Sequence, residues 1–170
     1  MADLRNYIES YNDFHTKGIV FRDVLGVLQE TEIFSELISK MSSTKIIADS
    51  EAIIAIDARG FIFGPAISLH TSKPMLVDRK NGKLPGELID KNYELEYGFD
   101  TLQVQKKGLD KYESFAIVDD VLATGGTASC VNEILKAYEK KVRGLVVVIE
   151  IESLDARKSL NIPVYSQIKY

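Results

Sequence analysis

Four short apolar runs restrict the fold of this chain more than any other feature of its sequence. They are Ala52–Ile56, Pro74–Val77, Phe115–Val118 and Leu145–Ile151, and three of the four are rich in Val and Ile. A strand with one wet face alternates apolar with polar residues. A strand covered on both faces reads as a continuous apolar run. Helical stretches, Phe61–His70 and Ala128–Lys140, lie between some of the runs. Strand and helix in alternation predict an α/β fold with a parallel sheet and right-handed crossovers. Ahead of the first run, Ile33, Phe34, Leu37, Ile38 and Met41 make a helical stripe over Thr31–Met41. A short helix fits Ala2–Ser10, and Phe14–Asp23 reads as an irregular arm turning at Gly18.

At 170 residues the chain suits one domain. A domain of this size buries roughly 70% of the surface of its unfolded chain, so it needs no covalent staple. Its one cysteine, Cys130, excludes an intrachain disulfide and fits a reducing compartment. The opening Met-Ala-Asp-Leu-Arg-Asn-Tyr has neither a signal core nor a transit pattern. No apolar run has the length of a membrane span. A cytoplasmic location is therefore expected. The net charge of −4 argues against broad binding to nucleic acid or to anionic membranes. Any anionic ligand must then meet positive charge that is local. There is no P-loop and no GxGxxG fingerprint. With one Cys, two distant histidines (His15 and His70) and no HExxH, a zinc site is not expected.

Arg79–Phe99 interrupts the alternation. It is polar, carries Gly82, Pro85, Gly86 and Gly98, and shows no apolar stripe. A segment of that length is usually a functional lid or a disordered loop. Tyr93–Tyr97 and Thr101–Gln105 flank Gly98, which suggests a hairpin.

The chemistry is most concentrated in Phe115–Thr127, FAIVDDVLATGGT. An apolar strand ends in Asp119 and Asp120, and Thr124-Gly125-Gly126-Thr127 leads into a helix. Ligands of open parallel sheets bind beyond the carboxyl ends of the strands. The helix start offers unpaired N–H groups and the positive end of a dipole, which suit a phosphate. Carboxylates repel phosphate but accept hydrogen bonds from sugar hydroxyls. A GGT before a helix is commonly no more than a cap; the preceding Asp pair turns the reading toward a clamp for ribose and its 5-phosphate. Arg59 and Gly60 stand at a second strand-to-helix turn, where Arg supplies a rigid fork of donors for an anion. Arg79, Lys80 and Lys83 are the clustered positive charge that the net charge conceals.

VDDVLATGGT resembles the phosphoribosyl-pyrophosphate motif of the type I phosphoribosyltransferases, and its ATGGT form is closest to the adenine phosphoribosyltransferases. Four further segments resemble the same family in the same order: GIVFRD at Gly18–Asp23, ARGFIFGP at Ala58–Pro65, RKNGKLPG at Arg79–Gly86 and LEYG at Leu95–Gly98. The likeness runs from about Phe14 nearly to Tyr170. It implies one domain over residues 1–170, with a parallel-sheet core. The hood would come from about residues 1–30 and the C-terminal segment, and a mobile lid hairpin from about residues 80–105.

The resemblance also implies the reaction, adenine plus phosphoribosyl pyrophosphate giving AMP and pyrophosphate. Asp119, Asp120, Ala123, Thr124, Gly125, Gly126 and Thr127 would hold the ribose 5-phosphate. Arg59, Gly60, Arg79, Lys80 and Lys83 would take the pyrophosphate. Val20, Phe21, Arg22 and Ile151 would take adenine, with Phe21 stacked on the ring. Glu96 would meet the proton of the imidazole ring; Arg59 and the Asp pair would complete the catalytic set. Mg²⁺ would be carried by the diphosphate, with no direct protein ligand, and the protein would form a homodimer. The family usually has prolines before this first Gly; Phe14-His15-Thr16-Lys17 lacks them, which removes a restraint on the hood. Two alternatives are a transferase for a 6-oxopurine and a non-catalytic regulator that senses nucleotides. The first should need a donor to the 6-oxygen, for which Val20–Arg22 offers no clear candidate. The second typically carries a DNA-binding domain, for which 170 residues leave no room.

Overall fold

The computed structural model describes residues 3–14, 17–18, 20–95 and 98–170. In chain order a 3-10 turn (Leu4–Tyr7) precedes β1 (Glu9–Asn12), β2 (Val20–Asp23), a second 3-10 turn (Leu25–Gln29), α1 (Thr31–Ser42) and α2 (Lys45–Ala48). Then follow β3 (Ala52–Ala55), α3 (Gly60–Thr71), β4 (Met75–Lys80), β5 (Leu88–Leu95), β6 (Gly98–Gln105), α4 (Lys106–Leu109) and β7 (Ser114–Leu122). The chain closes with α5 (Gly126–Ala137), β8 (Lys141–Glu150), a 3-10 turn (Glu152–Leu154), α6 (Ala156–Leu160) and β9 (Val164–Lys169).

Seven strands form one sheet in the order β5-β6-β4-β3-β7-β8-β9. From β4 to β9 every neighbouring pair is parallel, while β6 joins β4, and β5 joins β6, antiparallel. Alternate residues of one strand face opposite sides, and both sides are covered. Ile54, Ile117 and Val147 meet α5 through Val131, Ile134 and Leu135. Ile53, Ala116 and Val146 join a second cluster with Leu37 and Met41 of α1 and Phe63 and Ile67 of α3. Two covered faces are why the runs are continuous. Each such Ile or Val contributes about 1.5–3 kcal/mol by leaving water.

Three segments differ from the sequence reading. The N-terminal helix is only a 3-10 turn, capped by Asp3 Oδ1, which accepts from the Arg5 N–H at 3.0 Å. The arm expected to be irregular holds β2, which pairs with β1 in a two-stranded ribbon and sets Tyr11 opposite Phe21 and Ser10 opposite Arg22. Four-residue strands offer too little periodicity to read. They gain their order from cross-strand contacts and from docking: the Arg22 guanidinium lies 4.1 Å from the centre of the Tyr170 ring. Finally, Arg79 and Lys80 belong to β4, paired with Gln103 and Leu102 of β6, rather than to a loop. The hairpin is rooted in the core through Ile89, Leu102 and Val104, all buried.

Candidate active site

β3 leads through α3 to β4 on one side, while β7, on its other side, leads through α5 to β8. The crevice where the winding diverges, beyond the carboxyl ends of β3 and β7, is the usual ligand site of such sheets. A cavity of about 470 Å³ lies there. Val20, Phe21 and Arg22 line it from the ribbon, Asp57, Ala58 and Arg59 from the β3–α3 loop. Asp119, Asp120, Ala123 and Thr127 line it from β7 and the start of α5, and Ile151 and Leu154 from the turn after β8. A smaller recess of about 90 Å³, lined by Asp119 and by Val121 through Ala128, runs past Thr124, Gly125, Gly126 and Thr127.

Both Asp side chains belong to β7 itself, which extends to Leu122. Asp119 Oδ1 accepts from the Asp120 N–H at 2.8 Å. Burial, and then the Asp120 charge, raise the Asp119 carboxyl well above the usual carboxylate range. Asp120 is 4% exposed, and its Oδ2 lies 2.5 Å from Arg59 Nε. The Arg59 guanidinium also lies 5.1 Å from the Phe21 ring centre. Arg59 thus bridges the hood aromatic and the carboxylate pair; its two Nη nitrogens carry the remaining N–H donors.

Two glycines serve this geometry. A Cβ on Gly60 would stand 2.8 Å from the Val118 carbonyl oxygen and 3.2 Å from Asp119 Oδ1, so only Gly lets α3 start against the end of β7. Gly125 caps α5 with φ +84°, a left-handed conformation that costs glycine little.

The diphosphate set is dispersed. Arg59 lines the cavity, and Gly60 follows it at the start of α3. Arg79 donates from Nε to Asp57 Oδ2 at 2.9 Å. Lys80 ends β4 and Lys83 sits in an exposed turn; neither lines the cavity. Glu96 lies outside the described residues, as do His15 and Thr16.

No family model matches the chain. An adenine phosphoribosyltransferase of Prochlorococcus marinus strain MIT 9515 is 62% identical over 163 residues, which is 96% of this chain and 95% of that protein. The chain belongs to the adenine phosphoribosyltransferases. Among solved members, the adenine phosphoribosyltransferase of Thermoanaerobacter pseudethanolicus is 34% identical, with a TM-score of 0.89 over 98% of both chains. That of Saccharomyces cerevisiae, complexed with D-2,5-dideoxy-2,5-imino-altritol 1,6-bisphosphate and adenine, is 31% identical, with a TM-score of 0.85 over 97% of this chain and 96% of that one.

The site also has residues that the sequence reading missed. Leu154 lines the cavity three residues after Ile151, a spacing that a 3-10 turn brings to one side. Asp57 precedes Ala58 through a cis peptide bond, and its N–H donates to Asp78 Oδ1 at 2.7 Å. Glu150, just before Ile151, is held by Arg157 at 2.5 Å (Nε to Oε1) and 2.6 Å (an Nη to Oε2), and by Ser166 Oγ at 2.5 Å. These bonds hold the Glu150 carboxyl down to about 2, the Arg157 bond contributing most. Adjacency to ARG and to Ile151 was the one signal for Asp57 and Glu150.

Proposed function

We propose that this chain transfers the phosphoribosyl group of phosphoribosyl pyrophosphate to adenine, giving AMP and pyrophosphate in purine salvage. One observation carries the reading. A single cavity joins an aromatic-bearing apolar hood to a carboxylate pair and a glycine-opened helix start, in a chain of this family. The yeast relative holds adenine; here the matching base would lie against Phe21 and Ile151.

In this reading the α5 start and Thr124–Thr127 hold the 5-phosphate, and Asp119 and Asp120 accept from the ribose hydroxyls. Asp119 is half-buried and accepts from the Asp120 N–H, and sugar hydroxyls would supply further donors. As the ribose carbon becomes cation-like, the Asp pair balances its charge, and Arg59 offers its Nη donors to the departing pyrophosphate. Adenine attacks from the face opposite the leaving group. Glu96 is assigned to the imidazole proton, and Lys80 and Lys83 to closure over the diphosphate, by resemblance alone.

Mg²⁺ is proposed as the donor's companion ion. The cavity lining offers carboxylate and hydroxyl oxygens and neither thiol nor imidazole, a donor set that suits a hard ion held mainly by diphosphate and water. Bound there, it would offset charge on the leaving group.

A homodimer is proposed from α3. Phe61, Pro65 and Leu69, four residues apart, leave this helix apolar on its outer side, with Leu69 84% exposed. A helix apolar all round normally has a partner on each side. A cytoplasmic location is proposed as well; among the described residues no helix is long and apolar enough to cross a membrane.

The test is a panel of radiolabelled bases with donor and Mg²⁺. Carbonyls of Val20–Arg22 that accept from the 6-amino group of adenine would face the 6-oxygen of hypoxanthine with like polarity. Two unpaired groups at ~1–3 kcal/mol each give adenine an advantage of about a hundredfold in kcat/KM. Comparable values for the two bases would overturn the base assignment; no transfer to any base would overturn the enzyme.

A further inference from the structure

Asp78 is a buried acid that the proposed reaction does not use. It lies in β4, paired in register with Val104 of β6, and none of it is exposed. Its Oδ1 accepts from the Asp57 N–H, while its Oδ2 is buried and has no hydrogen-bond partner among the described residues. Asp57 opens the turn that continues through Ala58 to Arg59 and packs Gly60 against Asp119. Asp78 therefore grips, from beneath, the turn that presents Arg59 to the cavity.

The charges around it are unfavourable to an anion. Asp57 faces it from the β3–α3 loop and Asp119 from β7; Cys130 of α5 is close enough to feel it. Arg79, on its own strand, is the one cation among these groups, and its Nε is already bonded to Asp57. Burial pushes the Asp78 carboxyl up to about 7, against the Asp57 N–H, which favours the ion. Its charge is therefore set within the physiological pH range.

We propose that Asp78 is a positioning residue for the diphosphate-binding loop and that its ionised form opposes the anionic donor, so that donor binding draws a proton onto this carboxyl. The proposal rests on the reading of the cavity as a phosphoribosyl-pyrophosphate site. It follows from reciprocity: an anion that binds more weakly above ionised Asp78 raises that group's proton affinity when bound.

Two variants separate the parts. Asp78→Asn keeps an acceptor for the Asp57 N–H and removes the titration. Asp78→Leu removes both. Donor dissociation constants with Mg²⁺, measured by titration calorimetry from pH 6 to 8, should weaken more with rising pH in the wild type than in Asp78→Asn. The difference should be about 3–10-fold, for a coupling of half to one pKa unit; the donor's own phosphates titrate alike in both. Asp78→Leu should raise the donor KM about tenfold while moving the adenine KM less than twofold, and Asp78→Asn should restore most of the donor KM at pH 6. If either variant fails to fold, carboxyl carbon NMR of the wild type reads the same linkage. The Asp78 titration should lie near 7 and move up when donor binds. Parallel pH profiles, equal rises in both KM values, or a titration unmoved by donor would each overturn the inference and leave the enzyme standing. Donor that binds at no pH would overturn both.

Discussion

Arg59 meets two partners in this structure, Asp120 Oδ2 at 2.5 Å and the Phe21 ring at 5.1 Å, and so ties the donor half of the cavity to the base half. Arg59→Ala should raise the donor KM and weaken pyrophosphate inhibition together, each by about 10–100-fold, the value of a charge-assisted hydrogen bond. Unaltered pyrophosphate inhibition would give the loop another task. Asp120→Asn keeps the size and removes the charge that balances the ribose cation. We expect kcat to fall about a hundredfold or more with adenine affinity little changed; wild-type turnover would refute the role. Arg59, Asp119, Asp120 and Thr127 were legible because each stands beside a strand end or helix start that the sequence marks. Asp78 was not. It reads as a polar residue just past the apolar run Pro74–Val77, and its role exists only because β4 lies against β3 and brings its carboxyl under the Asp57 N–H.

At the scale of elements, β7 was the most legible piece, since the apolar run Phe115–Val118 ending in charge marks its core, although the strand runs on to Leu122. The β1–β2 ribbon and the edge strand β9 were hidden, because short strands with one wet face carry little pattern. The hairpin was read around Gly98, but its roots in the core were not. Its buried Ile89, Leu102 and Val104 are spaced among polar residues, so no continuous apolar run marks them. Their amides should therefore exchange slowly without any ligand, about as slowly as those of β3 and β7; fast exchange there would contradict the rooted hairpin. The turn carrying Ile151 and Leu154 depends on a pair that brackets it, Glu150 and Arg157. Arg157 grips Glu150 and donates to the Val164 carbonyl oxygen at 3.0 Å, while the Ile151 N–H donates to the Leu122 carbonyl oxygen at 2.9 Å. Arg157→Gln removes the charged fork but keeps much of the volume. A loss of about 2 kcal/mol is expected from a charged hydrogen bond with one partner half exposed, lowering Tm by about 4–8 °C. The adenine KM should rise as Ile151 and Leu154 lose their support. An unchanged Tm would show the pair to be ornamental to stability.

For the whole molecule the buried acids set opposite slopes of stability against pH. Glu150 has its carboxyl lowered to about 2 by Arg157 and Ser166. Below pH 4.5 the unfolded chain binds a proton there that the folded chain refuses, so this contribution is present above about 4.5 and is lost as pH falls toward 2. Asp78, raised to about 7 by burial, acts the other way. Between about 4 and 7 the folded chain keeps a proton that the unfolded chain has released, so stability falls as pH rises through that window. Asp119, raised by burial and by the Asp120 charge, has the same sign. The two slopes meet near pH 4–5, where the unfolding free energy should peak. From pH 5 to pH 8 the Asp78 share alone amounts to about 3 kcal/mol, at 1.36 kcal/mol per pKa unit. Urea unfolding at half-unit pH steps would display the decline, and Asp78→Asn, which cannot ionise, should make it shallower by that share. Donor with Mg²⁺ should steepen it, because binding raises the Asp78 proton affinity further and the donor's own stabilisation shrinks as that proton is lost. A wild-type stability that is level or rising from pH 5 to pH 8, matched by the same curve in Asp78→Asn, would mean that Asp78 ionises as an ordinary carboxylate and that its burial costs the fold nothing.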